Sequence, residues 1–345
     1  FAERFGIAKG DPLIPSRLGN RSPEEVAAIH GVASAIRHLG EREAAFSKVE
    51  IYRTALGFGL PTAFVDIERR TLQLIRQGHL QAGKGPDRDM LTTRDAISLE
   101  QRILAGIEAG RGVASAIIPA FDAGTRLQAV SQNRYGLRLN KGQEGAGRLL
   151  LSSNNRIVAI QGVAGAGKST VLKPVADILR AEGKTVLGLA VQNTLVQMLE
   201  RETGIPSMTV ARFLGQHQDL LKGEGGARLE AARTAMSGTV VVLDEASMVG
   251  NADMEKLVRL ANLLRLDRFA SIGDTKQLGA VDAGKPFDVM QQAGIEAAQM
   301  DTNLRARDEA LRSAQRAAQG GRISEALAHL GDNVVAAGEN AAVDA

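Results

Sequence analysis

The chain is 345 residues long, 44% hydrophobic and 3% aromatic, with a net charge of +3 and no cysteine. That length buries a substantial core and allows two or three domains; the missing cysteines exclude a disulfide framework and thiolate chemistry, and the five histidines are too scattered to suggest a metal site. No apolar run approaches the roughly 20 residues that a membrane-spanning helix needs, and the amino terminus lacks the apolar stretch of a secretory signal, so a cytoplasmic location without membrane insertion is expected. Beginning at Phe1 and ending in GENAAVDA, the sequence reads as an excised piece of a longer protein.

Residues 1–38 carry Gly, Pro and Arg and read as a linker entering a helix, SPEEVAAIHGVASAIRHL, started by Ser22, Pro23 and two glutamates. Residues 39–138 read as a mainly helical accessory domain. SKVEIYRTALGFGL and PTAFVDIERRTLQLIRQGHL are amphipathic helices, the second with Phe64, Ile67, Leu72, Leu74 and Ile75 mostly on one side. HLQAGKGPDRDMLTT follows as two short strands around a Gly-Pro turn. Helix, helix and basic hairpin suggest a winged-helix-like module, and a plain helical spacer with a surface hairpin satisfies the same pattern. A further helix, TTRDAISLEQRILAGIEAGRG, has Thr93 as its N-cap and stops at the Gly110-Arg111-Gly112 break. The small basic excess over the first 140 residues suits nucleic acid, and it suits solvated helix faces equally.

From residue 139 to 310 the pattern changes. RIVAI, TVLGLA, TVVVLD and RFASIGD are short, apolar on both faces and separated by helical segments, which predicts an α/β domain with a parallel sheet covered on both sides. Residues 311–345 read as a tail.

Gly162-Val-Ala-Gly-Ala-Gly167-Lys168-Ser169 matches the phosphate-binding loop G-x-x-x-x-G-K-[ST], set between the strand Ile157 to Gln161 and a helix from Thr170 to Arg180. Gly162, Gly165, Gly167, Lys168, Ser169 and Thr170 are therefore the nucleotide-binding candidates: backbone N–H groups wrap phosphates, and Lys168 reaches the β and γ oxygens of ATP. Ser169 would ligate Mg2+. In TVVVLDEASM four apolar residues deliver Asp244 and Glu245 to the carboxyl end of a buried strand, where open α/β sheets hold ligands. Asp244 is the second Mg2+ candidate, and Glu245 the candidate base that orients and deprotonates an attacking water.

GVAGAGKST, VVVLDEASMV and IGDTKQLGAVDAGKPF occur in the order and spacing of motifs I, II and III of superfamily 1 helicases. The chain most resembles the RecD-like branch, superfamily 1B, and within it the helicase portion of bacterial conjugative relaxase-helicases of the TraI/TrwC (MobF) type. The resemblance implies a P-loop RecA-like motor domain, 5′ to 3′ translocation on single-stranded DNA, Gln277 as the γ-phosphate sensor and Asp274 as part of the relay to DNA. LNKGQEGAGRLL resembles the segment whose glutamine reads the adenine edge, nominating Gln143; SMTVARFL resembles motif Ib, making Thr209 a DNA-backbone contact; MDTNLRARDEAL resembles motif IV, making Arg305 a γ-phosphate contact. Motif Ia commonly has a Pro-Thr pair where this chain reads LAVQNTLVQML, so Gln192, Asn193 and Thr194 would supply any strand contact there. The usual glutamine after the motif IV arginine is Ala306.

The resemblance implies a conjugative DNA helicase whose nicking domain and second RecA-like domain are expected outside this sequence, the tail leading toward the latter. Two other readings stay open: a recognition module bound by a type IV secretion coupling protein or by single-stranded DNA, and a RecD-like repair helicase unconnected to conjugation.

Overall fold

Ser22 and Glu25 bond each other's backbone N–H groups in a capping box, and Pro23 occupies the first turn, so the first helix, α1 (Pro23–Gly40), starts where the sequence places it. The structure, a computed structural model, describes residues 12–276, 283–304 and 309–331; Gln277 and Arg305, both nominated above, lie outside the described residues. After α1 come β1 (Phe46–Ser47), α2 (Lys48–Gly57), α3 (Phe64–Arg76), β2 (Leu80–Ala82) and β3 (Met90–Thr93). The three strands form an antiparallel sheet in the order β1-β3-β2. Helix, strand, two helices and a hairpin that pairs back with the first strand is a winged-helix arrangement, which the two-residue β1 completes. Helix α1 is no appendage of a linker: Ala28, Val32, Ala35 and Ile36 are buried with Phe46, Ile51, Ile67, Leu74 and Leu91 in one apolar core.

The main sheet has six parallel strands: β4 (Ile157–Gly162), β5 (Thr185–Ala190), β6 (Ser207–Thr209), β7 (Thr239–Leu243), β8 (Arg268–Gly273) and β9 (Ala297–Met300), ordered β6-β5-β7-β8-β4-β9. Alternate residues face opposite sides, as a two-residue period requires. Val158, Ile160, Val240 and Val242 join one core, and Ile157, Ala159, Val241 and Leu243 the other. Because both faces are covered, β4, β7 and β8 are buried along their whole lengths.

Helices α4 (Arg94–Ala109) and α5 (Ala120–Tyr135) precede the sheet yet supply its cover, so the packing does not divide at residue 138. Ile103 and Ile107 of α4 enter one core, and Ala123 and Leu127 of α5 enter the other. Glycine sets both approaches: a Cβ on Gly106 would stand 2.4 Å from Val258, and one on Gly147 would stand 2.3 Å from Leu127. The remaining helices are α6 (Lys141–Ser152), α7 (Lys168–Ala181), α8 (Asn193–Thr203), α9 (Val210–Gln216), α10 (Gln218–Leu221), α11 (Ala227–Ala235), α12 (Asn251–Leu263), α13 (Pro286–Gln292), α14 (Glu309–Gln319) and α15 (Ile323–Leu330). The last two, read from sequence as a tail, pack on each other as a helix pair. Among the described residues, no helix is long and apolar enough to cross a membrane.

Arg268, the first residue of β8, is fully buried. Its guanidinium donates to the carbonyls of Leu150, Ser115, Ser153 and Asn155, tying the connection before β4 to the start of β8, and burial pulls its pKa down to about 10. Arg268→Met keeps the bulk of the side chain but removes the donors. Urea denaturation should show a loss of about 2–4 kcal/mol, the cost of leaving buried acceptors unpaired; an unchanged midpoint would refute the structural role assigned to this arginine.

Candidate nucleotide-binding site

The phosphate-binding loop leaves the carboxyl end of β4 and closes into α7, whose first residue is Lys168. Gly165 and Gly167 have φ of +76° and +79°, a region that side chains with a Cβ seldom enter. Gly167 is constrained twice, since a Cβ there would lie 2.5 Å from Nε2 of Gln143. Gly162 lets the stem of Lys168 fold back over the loop, 3.1 Å from where its own Cβ would be. The loop borders a pocket of about 360 Å³ lined by residues 164–170 with Met198, Glu202, Asp244, Glu245 and Leu304.

Asp244 and Glu245 arrive from the end of β7, with β8 lying between that strand and β4. Asp244 is anchored by its backbone N–H, which donates to the Leu189 carbonyl at 2.8 Å. Glu245 has φ +48°, an uncommon conformation for a residue with a side chain, which sharply ends the strand. Lys168 Nζ lies 3.0 Å from Glu245 Oε1, with both side chains mostly buried. The Ser169 hydroxyl donates to Glu202 Oε2 at 2.5 Å.

Asp244 Oδ1 and Glu245 Oε2 are buried without a hydrogen-bond partner. Burial pushes the Asp244 carboxyl up, Lys168 opposes that shift, and Glu245 adds to it. An orphaned carboxylate oxygen in a pocket that a serine also lines suits a hard, oxygen-seeking cation such as Mg2+. Among the described residues no cluster of three or more His, Cys, Asp or Glu side chains could cage an ion. A cation held by Asp244 and Ser169 would therefore draw its other ligands from phosphate and water, as Mg2+ commonly does.

The other nominated residues fall in different places. Gln143 is 2% exposed, and its amide is committed: Oε1 accepts from the Asn140 N–H at 3.1 Å, and Nε2 donates to the carbonyls of Ala166 and Gly167 at 3.2 and 3.4 Å. It braces the loop from behind and does not line the pocket. Thr170 lines the pocket. Gln192, Asn193 and Thr194 stand exposed at the start of α8, at the carboxyl edge of the sheet. The Thr209 hydroxyl caps α9, accepting from the Arg212 N–H at 3.2 Å.

Asp274 is 2% exposed and offers no surface for direct contact with a strand. Its Oδ1 accepts from Gln161 Nε2 at 2.8 Å, and Gln161 Oε1 accepts from the Thr275 N–H and from Gln291 Nε2, each at 3.2 Å. This network links the strand before the phosphate loop to the segment after β8. Gln161 and Gln291 were not singled out in the sequence, although a glutamine ending an otherwise apolar buried strand was a visible signal. Glu202 carried no such signal, because it reaches Ser169 from 33 residues away.

A six-stranded parallel sheet with a phosphate loop on one strand and an acidic pair on another, separated by a single strand, defines a P-loop domain of RecA-like architecture. The AAA domain family matches residues 138–338, and the chain belongs to that family as a TraI/RecD-like superfamily 1B helicase portion. It is 29% identical to the multifunctional conjugation protein TraI of Escherichia coli K12 over 81% of this chain and 16% of that protein. It is 36% identical to the ATP-dependent RecD2 DNA helicase of Deinococcus radiodurans over 51% of this chain and 23% of the helicase. A probable conjugal transfer protein TraA of Sinorhizobium fredii is 32% identical over 45% of this chain and 13% of its own length. The chain thus spans less than a quarter of each of these relatives.

The buried, unpartnered oxygen of Asp244 costs stability in the nucleotide-free protein. Asp244→Asn should raise the thermal unfolding midpoint, corresponding to about 1–3 kcal/mol from relief of a buried charge that Lys168 offsets only in part. Scanning calorimetry in EDTA reads this, and a lowered midpoint would mean that the carboxylate is a net stabiliser.

Proposed function

We propose that this chain binds Mg-ATP and single-stranded DNA as the nucleotide-handling motor domain of a 5′ to 3′ DNA helicase acting in conjugative transfer. The observation that carries the reading is the convergence of Lys168, Ser169, Asp244 and Glu245 on one pocket from two strands of the sheet. Resemblance to TraI, TraA and RecD2 supports the helicase and conjugation parts of the proposal.

In the proposed mechanism Lys168 leaves Glu245 for the phosphate oxygens, where its ammonium offsets charge that builds as the terminal phosphoryl group departs. Freed of Lys168, Glu245 accepts a proton from the attacking water. Asp244 and the Ser169 hydroxyl would hold Mg2+, which when bound supplies charge neutralisation at the β and γ oxygens. Gln277 and Arg305 are proposed to contact the γ-phosphate. Work on DNA needs a second RecA-like domain to close over the nucleotide and reopen after hydrolysis.

Single-stranded DNA is proposed to run along the exposed start of α8, past Gln192, Asn193 and Thr194, with Thr209 near its path. An aromatic content of 3% supports contacts to the strand's backbone over a long stacking platform. Affinity should therefore be sequence-tolerant and fall steeply with salt. A coupling protein of a type IV secretion machinery is a proposed partner of the parent protein.

The test is calorimetric titration of Mg-ATP together with a phosphate-release assay. Lys168→Ala should weaken binding by at least about tenfold through loss of a charge-assisted contact. Glu245→Gln should abolish turnover while binding ATP as well as or better than the parent, because Lys168 is released from its ion pair. Equal binding by the parent and Lys168→Ala would overturn the nucleotide site.

A further inference from the structure

We propose that Glu202 is a positioning residue that turns the Ser169 hydroxyl into a cation ligand and so makes nucleotide binding depend on Mg2+. The inference rests on the nucleotide site proposed above and extends it to a residue outside the phosphate loop and the acidic pair. A serine hydroxyl has one proton and two lone pairs. With the proton aimed into the pocket, the same oxygen would repel a cation. In the structure that proton is directed to Glu202 Oε2 at 2.5 Å, a charge-assisted bond that leaves the lone pairs for the pocket.

Glu202 is held to this task by its setting. It is the penultimate residue of α8, next to the buried Thr203 and one turn after the buried Leu199, and it lines the pocket itself. Its neighbour Thr203 locks the end of the helix by donating to the Leu199 carbonyl at 2.6 Å and accepting from the Ile205 N–H at 3.2 Å. The carboxylate therefore meets Ser169 from a fixed helix end. Outer partners of this kind orient a metal ligand and increase its basicity, and removing one typically costs about 10- to 100-fold in metal affinity.

The experiment measures ADP affinity by displacement of a fluorescent ADP analogue, in Mg2+ and in EDTA, so that turnover plays no part. In the parent, Mg2+ should tighten ADP binding. Glu202→Ala should reduce that Mg2+-dependent gain by about tenfold with little change in EDTA, and Glu202→Gln, which keeps a neutral acceptor, should lose less. In a Ser169→Ala background Glu202→Ala should add nothing further, as expected of two residues acting as one unit. Glu200→Ala, exposed on the same helix, should behave as the parent does. Equal weakening in both buffers would assign Glu202 a merely structural role and overturn the proposal, as would an unchanged gain. Failure of the parent to bind ADP in either buffer would instead overturn the nucleotide site itself.

Discussion

Everything at the site depends on β8 running between β4 and β7. The parallel register sets Ile160 of β4 beside Ile272 of β8, and Leu243 of β7 beside Ser271 of β8, so the phosphate loop and the acidic pair emerge at the same edge, one strand apart. Adjacent strands lie roughly 5 Å apart, and the gap left by one intervening strand is what Lys168 and Glu245 span from either side. Gly273, at the end of β8, lets the segment after the acidic pair and α13 pack close to the strand: a Cβ there would come within 3.0 Å of the Ser247 backbone nitrogen and 3.1 Å of Phe287. Arg268 holds the opposite end of the same strand against the connection that leads into β4. The central strand β8 thus spaces the groups that β4 and β7 deliver on either side of it.

The cover of this sheet is assembled from both sides of the sequence. Helix α4 continues directly from the last strand of the winged-helix unit and lies against α12, with Asn262 Nδ2 donating to the Gly106 carbonyl at 2.7 Å. On the same side of the molecule the Ala283 N–H donates to the Glu41 carbonyl, and the Asn251 N–H donates to the Ala283 carbonyl, both at 3.0 Å. The winged-helix unit is therefore bonded to the segment that follows β8 as well as joined through α4.

Much of this was legible in the sequence, for physical reasons that differ by region. The phosphate loop stands out by its glycine spacing, the acidic pair, commonplace after a strand when alone, gains meaning only beside that loop, and the strands of the parallel sheet are continuous apolar runs. The capping serines and Thr93 fix helix starts locally, so α1, α2 and α4 begin where expected. What escaped is non-local. A two-residue strand such as β1 has no period to detect, and it exists only because Phe46 and Ser47 meet Leu91 and Met90. Assignment of α4 and α5 to the sheet's cover rests on close approaches at Gly106 and Gly147, which an amphipathic pattern cannot assign to a partner. Arg268 heads the strand RFASIGD with no local signal of its role, and it is buried because four carbonyls from distant segments converge on it. Gln143 and Asp274 were matched to motifs by position, and only their hydrogen bonds reveal that both face inward.

The ion pair between Lys168 and Glu245 has a consequence for which anions can occupy the pocket. With the two groups joined, the strongest cation at the site is already neutralised, and any incoming anion must first compete with a covalently tethered carboxylate. A lone phosphate or sulfate has only its own charge to offer in that exchange. On the proposed reading a nucleotide polyphosphate would meet the loop's N–H groups along its length and bring a divalent ion for the carboxylates, so it would recover what the broken pair loses. The pair would then act as an internal competitor that disfavours simple anions in the pocket relative to a polyphosphate.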